Sequence, residues 1–166
     1  SAEPSGKDKF ALMEEVILKS PAARTKCAVS SPERPADSIL VVDDNPDSLY
    51  LLGRILIDVG YEVEFSIDGP SAIEWILLRR FDAILLDVRM PVMNGFEVNA
   101  VIRSSSLNRE TPVIFLAAYN DLERMAGNDA VAGSDYITKP FRKRELLARI
   151  RVKVEEGKAN RNFRLY

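Results

Sequence analysis

The stretch Ile39-Leu-Val-Val-Asp-Asp-Asn-Pro46 reads as a buried strand that ends in a pair of acids and turns at once into a helix. Its opening residues form a continuous apolar run, the pattern of a strand covered on both faces. Asn45 is placed to cap the helix, and Pro46 fits its first turn, where a missing N–H costs nothing. Leu49, Leu52, Leu56 and Val59 recur at helical spacing, and Gly60 stops the pattern.

The same alternation repeats downstream. Tyr61–Phe65 alternates apolar and polar residues and suits an edge strand, whereas Ala83–Leu86 and Val113–Ala117 are nearly continuous apolar runs. Tyr136-Ile137 is a shorter fifth run. Pro70–Arg80 predicts a helix with Ile73, Ile76 and Leu77 inward, and Phe96–Arg103 predicts the next. Asp121–Val131 predicts a fourth helix interrupted by Gly127-Asn128-Asp129, all poor helix formers; it reads equally as an output surface or as a helix that ends early. Leu146, Leu147, Ile150 and Val154 mark the last helix, which can run on past Gly157. Five β-α units predict an α/β fold, a doubly wound parallel sheet of five strands with helices on both faces. In such sheets the functional crevice lies at the carboxyl ends of the strands.

Totals set the outer limits. At 166 residues there is room for one well-buried domain plus extensions. Lys and Arg total 23 against 25 Asp and Glu, a net charge of −2, which gives no electrostatic reason to expect direct nucleic-acid or anionic-membrane binding. No apolar run is long enough for a membrane span, so a cytoplasmic location is expected, in keeping with the lone Cys27. There is no histidine, which removes Ser-His-Asp triads and His-ligated zinc; phosphoryl chemistry must run on carboxylates, Lys and a hard cation.

Three segments follow from the pattern: an extension at 1–37, a domain at 38–158 and a tail or helix extension at 159–166. Within the extension, residues 8–19 fit a short helix with Phe10, Met13 and Ile17 on one stripe. The preferred reading is a linker, and the alternative is a docking or dimerisation helix.

Asp43 and Asp44 are read as coming immediately after the first strand and Asp87 immediately after the third. On neighbouring strands, three carboxylates would share one pocket. Two like charges at about 4 Å repel by roughly 4 kcal/mol at an effective dielectric near 20, so a counter-charge is required. Mg²⁺ suits such a set, since it binds through one or two carboxylates plus a phosphate oxygen. Lys139, beyond the fifth strand and before Pro140, offers a second cation. A lone Asp after a strand reads as a cap or turn residue and a lone Lys-Pro as chance; together they point to phosphoryl transfer with Asp87 as nucleophile.

Three segments carry a family resemblance: Ile39–Pro46, Leu86-Asp-Val-Arg-Met-Pro-Val-Met-Asn-Gly-Phe-Glu97, and Ala132-Gly-Ser-Asp-Tyr-Ile-Thr-Lys-Pro-Phe141. Residues 38–158 resemble the receiver domain of two-component response regulators. The resemblance implies a flavodoxin-like (βα)5 sheet of strand order 2-1-3-4-5. Asp87 would be the phosphoacceptor, Asp44 a direct metal ligand, Asp43 a ligand through water, the backbone carbonyl of Arg89 a further ligand, and Lys139 the partner of the phosphoryl group. The cofactor would be Mg²⁺. Pro91 and Gly95 would shape the loop after the third strand. The implied partners are a histidine kinase or phosphotransfer protein and a second copy of the chain, docked on the face formed by the fourth helix, fifth strand and fifth helix.

One position departs from the pattern. Family members usually carry Thr or Ser where this chain has Ala117, and that hydroxyl is implied to couple the phosphoryl group to the aromatic represented by Tyr136. A methyl group donates no hydrogen bond. A hydrogen bond to a charged group is worth about 1.5–3 kcal/mol, so its loss would shrink the switching equilibrium roughly ten- to a hundredfold. Ala117 is thus either native to a weakened or rewired switch or an introduced change. It supports a rival reading, a pseudo-receiver that binds partners without phosphorylation. An aspartyl-phosphate phosphatase is disfavoured, because Asn45 stands where its second catalytic Asp belongs. Apart from self-phosphorylation and dephosphorylation, no enzyme activity is expected.

Overall fold

The computed structural model describes residues 36–126 and 134–164. The expected helix at 8–19, Cys27 and the Gly127-Asn128-Asp129 interruption lie outside the described residues. The described elements are β1 (Ser38–Val42), α1 (Pro46–Asp58), β2 (Glu62–Ser66), α2 (Gly69–Leu78), β3 (Ala83–Asp87), α3 (Gly95–Ser104), β4 (Val113–Ala118), a 3-10 turn (Tyr119–Asp121), α4 (Leu122–Ala126), β5 (Asp135–Lys139) and α5 (Lys143–Arg164).

All strand pairs are parallel and the sheet order is β2-β1-β3-β4-β5, as expected, with the alternating β2 on one edge. Alternate strand residues feed two separate cores, which is why the central strands read as unbroken apolar runs. Ile39, Val41, Leu85, Ile114 and Leu116 pack on one face with Leu49, Leu52 and Leu56 of α1 and Leu146, Ile150 and Val154 of α5. Leu40, Val42, Ile84, Leu86 and Phe115 pack on the other face with Ala72 and Ile76 of α2, Val98 and Ile102 of α3, and Met125 of α4.

The helix starts are fixed by side-chain caps. Asn45 accepts from the Asp47 N–H at 2.9 Å, Asp68 from Ser71 at 2.8 Å and Asn94 from Glu97 at 3.0 Å. Gly60, with a φ of 101°, turns the chain after α1 in a conformation that side chains disfavour.

Several expectations need correction. Val59 is exposed, being the residue after the last turn of α1 and not part of its inner stripe. Leu77 is also exposed, because α2 buries the narrower set Gly69, Ala72 and Ile76. Asp121 belongs to the 3-10 turn, so α4 starts one residue later than the pattern suggests. Asp87 and Lys139 are the final residues of β3 and β5, not residues beyond them. The last helix does run past Gly157, reaching Arg164. Among the described residues, no helix is long and apolar enough to cross a membrane.

Candidate functional site

The register brings the acids together. Val42 pairs with Leu86, so Asp43 and Asp87 arrive side by side at the carboxyl ends of β1 and β3. Ala118 pairs with Lys139, which carries the lysine to the same end of the sheet. Carboxylate oxygens of Asp43, Asp44 and Asp87 all lie within 4.8 Å of one another. Lys139 Nζ is 2.9 Å from Asp43 Oδ2 and 3.4 Å from Asp87 Oδ2. The Lys139–Pro140 peptide bond is cis.

Burial differs sharply within the cluster. Asp43 and Asp87 are buried, whereas Asp44 is exposed at the mouth. Asp43 is held at both oxygens, with Oδ1 accepting the Asn45 N–H at 2.9 Å and Oδ2 facing Lys139. Its own N–H donates to the Ser66 carbonyl at 3.1 Å, tying the acid pair to β2. Asp87 Oδ1 accepts a long contact from the Arg89 N–H, 3.4 Å. Of the two buried acids, Asp87 is the less constrained and the more open to a reagent.

The electrostatics follow from that packing. Burial, and then the charge of Asp43, push the Asp87 carboxyl up to about 7, with Lys139 pulling the other way. Burial alone would lower Lys139, but its hydrogen bond and charge interaction with Asp43, and the charge of Asp87, raise it above the ordinary lysine value. Among the described residues one ammonium, that of Lys139, is paired with this cluster of three carboxylates, so the fully ionised set is short by two positive charges. Hard oxygen donors and that deficit match a divalent cation of the Mg²⁺ type.

The loop after β3 is shaped by two backbone hydrogen bonds. The Gly95 N–H donates to the Val88 carbonyl at 2.9 Å, and the Met93 N–H to the Pro91 carbonyl at 2.7 Å. Val92, between them, is exposed and sits at a φ of 69°.

Of the two residues assigned to switching, Ala117 is buried in the second core beside Phe115, and Tyr136 on β5 is 44% exposed. Sequence reasoning missed one more pair. The Arg89 side chain donates through Nε to Asp121 Oδ1 at 2.6 Å, and Asp121 is buried. In the sequence Asp121 looks like any acid at the start of a helix, so no local signal marks it.

The family model of the response regulator receiver domain matches residues 39–151. The chain is 37% identical over 119 residues to transcriptional regulatory protein DltR of Streptococcus agalactiae, covering 72% of this chain and 52% of that protein. It is 44% identical over 121 residues to response regulator MprA of Mycobacterium ulcerans, covering 72% and 51%. It therefore spans about half the length of the curated relatives it matches. Among solved structures it is similar to the receiver domain of sensor histidine kinase PA1611 from Pseudomonas aeruginosa, which has a magnesium ion coordinated in its active site cleft. That match has a TM-score of 0.67 and 34% identity, and covers 73% of this chain and 99% of that one. Chemotaxis protein CheY4 of Vibrio cholerae matches with a TM-score of 0.65 and 36% identity, covering 70% and 98%.

Proposed function

Because this chain belongs to the response regulator receiver domain family, we propose that it is a phosphorylation-dependent signalling switch. In this reading Asp87 takes a phosphoryl group from a histidine kinase or phosphotransfer protein in a Mg²⁺-dependent step. The observation that carries the reading is the convergence of Asp43, Asp44 and Asp87 within 4.8 Å, opposite Lys139.

The chain's own residues divide the work. A carboxylate oxygen of Asp87 attacks phosphorus. The donor's bond to phosphorus breaks, and its electron pair leaves with the donor, giving an acyl phosphate on Asp87. Lys139, already within 3.4 Å of Asp87, neutralises a phosphoryl oxygen. The carboxylates of Asp44 and Asp87 and the backbone carbonyl of Arg89 would hold Mg²⁺, with Asp43 reaching it through water. When bound, Mg²⁺ supplies the charge that lets the acids and a phosphoryl group share one cleft. Water later attacks the acyl phosphate and restores the carboxylate. The reading extends to a cytoplasmic setting and to self-association through α4, β5 and α5, where Tyr136 is exposed.

The test is intact mass after incubation with a small-molecule phosphodonor. The parent should gain one phosphoryl group with Mg²⁺ and lose that gain when the metal is chelated; Asp87→Asn should gain none. An unlabelled parent would transfer the case to the rival reading, a pseudo-receiver interaction module, which is favoured by the buried methyl of Ala117.

A further inference from the structure

Ala117 gives β4 no hydroxyl with which to reach a phosphoryl group, yet the end of β4 is tied to the cleft by another route. Arg89 directs its N–H at Asp87 Oδ1, 3.4 Å away, and sends its side chain to Asp121, with Nε 2.6 Å from Oδ1. The two partners are unequally placed. The Arg89 side chain is 62% exposed, whereas that of Asp121 is 2% exposed. Asp121 closes the 3-10 turn Tyr119–Asp121 and directly precedes α4. A carboxylate so buried is costly without its cation, so the turn keeps its shape only while Arg89 stays with it. Arg89 lies largely in water and can swing away with little loss of packing.

We propose that the Arg89–Asp121 ion pair is a latch that carries the phosphorylation state of Asp87 to α4, in the place of the missing hydroxyl at position 117. The proposal rests on the reading of Asp87 as phosphoacceptor. A phosphoryl group on Asp87 sets new negative charge and several acceptor oxygens beside the main chain of Arg89. Lys139, which serves one phosphoryl oxygen, is also shared with Asp43, whereas Arg89 pairs, among the described residues, with Asp121 alone and can exchange that partner. The planar guanidinium matches phosphoryl oxygens in paired hydrogen bonds. When Arg89 turns to them, the Asp121 carboxylate is stranded and must move to water. That movement opens the turn, carries the exposed Tyr119 with it and loosens α4, whose Met125 is buried. No bond is made or broken in the latch itself.

Hydrogen exchange at residues 119–126, measured with and without phosphodonor and Mg²⁺, tests this. In the parent, phosphorylation should speed exchange there by about tenfold or more. In Asp121→Asn, which keeps shape and removes charge, exchange should be fast in both states, so the ratio between states falls toward one. A purely structural role for Asp121 would speed both states equally and keep the parent's ratio, which would overturn the latch. Arg89→Met, which retains the main-chain carbonyl, breaks the same pair from the other side and should also collapse the ratio. Intact mass is read on every sample. A parent that takes no label overturns the proposed function and the latch's trigger with it. Labelling without any exchange change at 119–126 overturns the latch alone.

Discussion

At position 95 the neighbouring backbone decides the residue. A Cβ there would lie 2.3 Å from the carbonyl oxygen of Asp87 and 3.1 Å from Val88 Cα. Those atoms carry the candidate phosphoacceptor and cannot retreat without moving its carboxylate. Gly95→Ala is therefore expected to cost about 1–3 kcal/mol of stability, read from the urea midpoint, and to slow labelling of Asp87. Labelling at the parent rate would mean the loop absorbs the methyl without disturbing the site. Lys139 makes the opposite case, since its value is its charge. Lys139→Met strands Asp43 and Asp87 beside each other, and phosphodonor labelling should fall at least about tenfold, because a transition-state charge contact worth roughly 1.4 kcal/mol or more is lost.

Between elements, polar side chains do the stitching, and Asn108 is the clearest example. Its Oδ1 accepts from the Phe81 N–H and Thr111 Oγ1, each at 2.9 Å, and its Nδ2 donates to the carbonyls of Ile76 at 2.7 Å and Arg79 at 2.8 Å. One buried side chain thus joins the end of α2, the approach to β3 and the approach to β4. Asn108→Ala leaves those backbone groups unpaired and should cost about 2–4 kcal/mol by denaturant unfolding. A loss under 1 kcal/mol, about the cost of a neutral hydrogen bond, would indicate that water replaces the amide. In the sequence Asn108 reads only as a turn residue, because three of its four partners are 27 to 32 positions away. On β4, Ala117→Thr restores a hydroxyl at the cleft and should enlarge the phosphorylation-induced NMR shift at Tyr136. An unchanged shift would place the coupling elsewhere, with Arg89 and Asp121 the structural alternative.

For the molecule as a whole, the cleft's unbalanced charge makes stability depend on pH and metal together. The Asp87 carboxyl rises from 3.8 to about 7 on folding. The folded chain then keeps a proton that the unfolded chain releases. This contribution is full below about pH 4 and is lost as pH rises through about 7 in metal-free solution. The loss should be on the order of 2 kcal/mol, allowing for solvent screening at the open mouth. Added Mg²⁺ favours the ionised form, so it should raise Tm more at pH 8 than at pH 5. An equal increment at both would mean that Asp87 does not face the metal.

The sequence by itself determined the element order, the two-faced sheet, the Asn45 cap and the set of acids with Lys139, because hydrophobic period and strand-end position are local properties of the chain. It misjudged Val59 and Leu77, since helical spacing alone does not say how wide a face the sheet will cover. Only the tertiary structure decided that Asp43 is buried and doubly held while Asp44 is open, that Asp87 titrates near 7, and that Arg89 reaches Asp121. Those outcomes depend on desolvation and on contacts between residues far apart in the chain, and both arise only when β1, β3, β4 and β5 lie side by side.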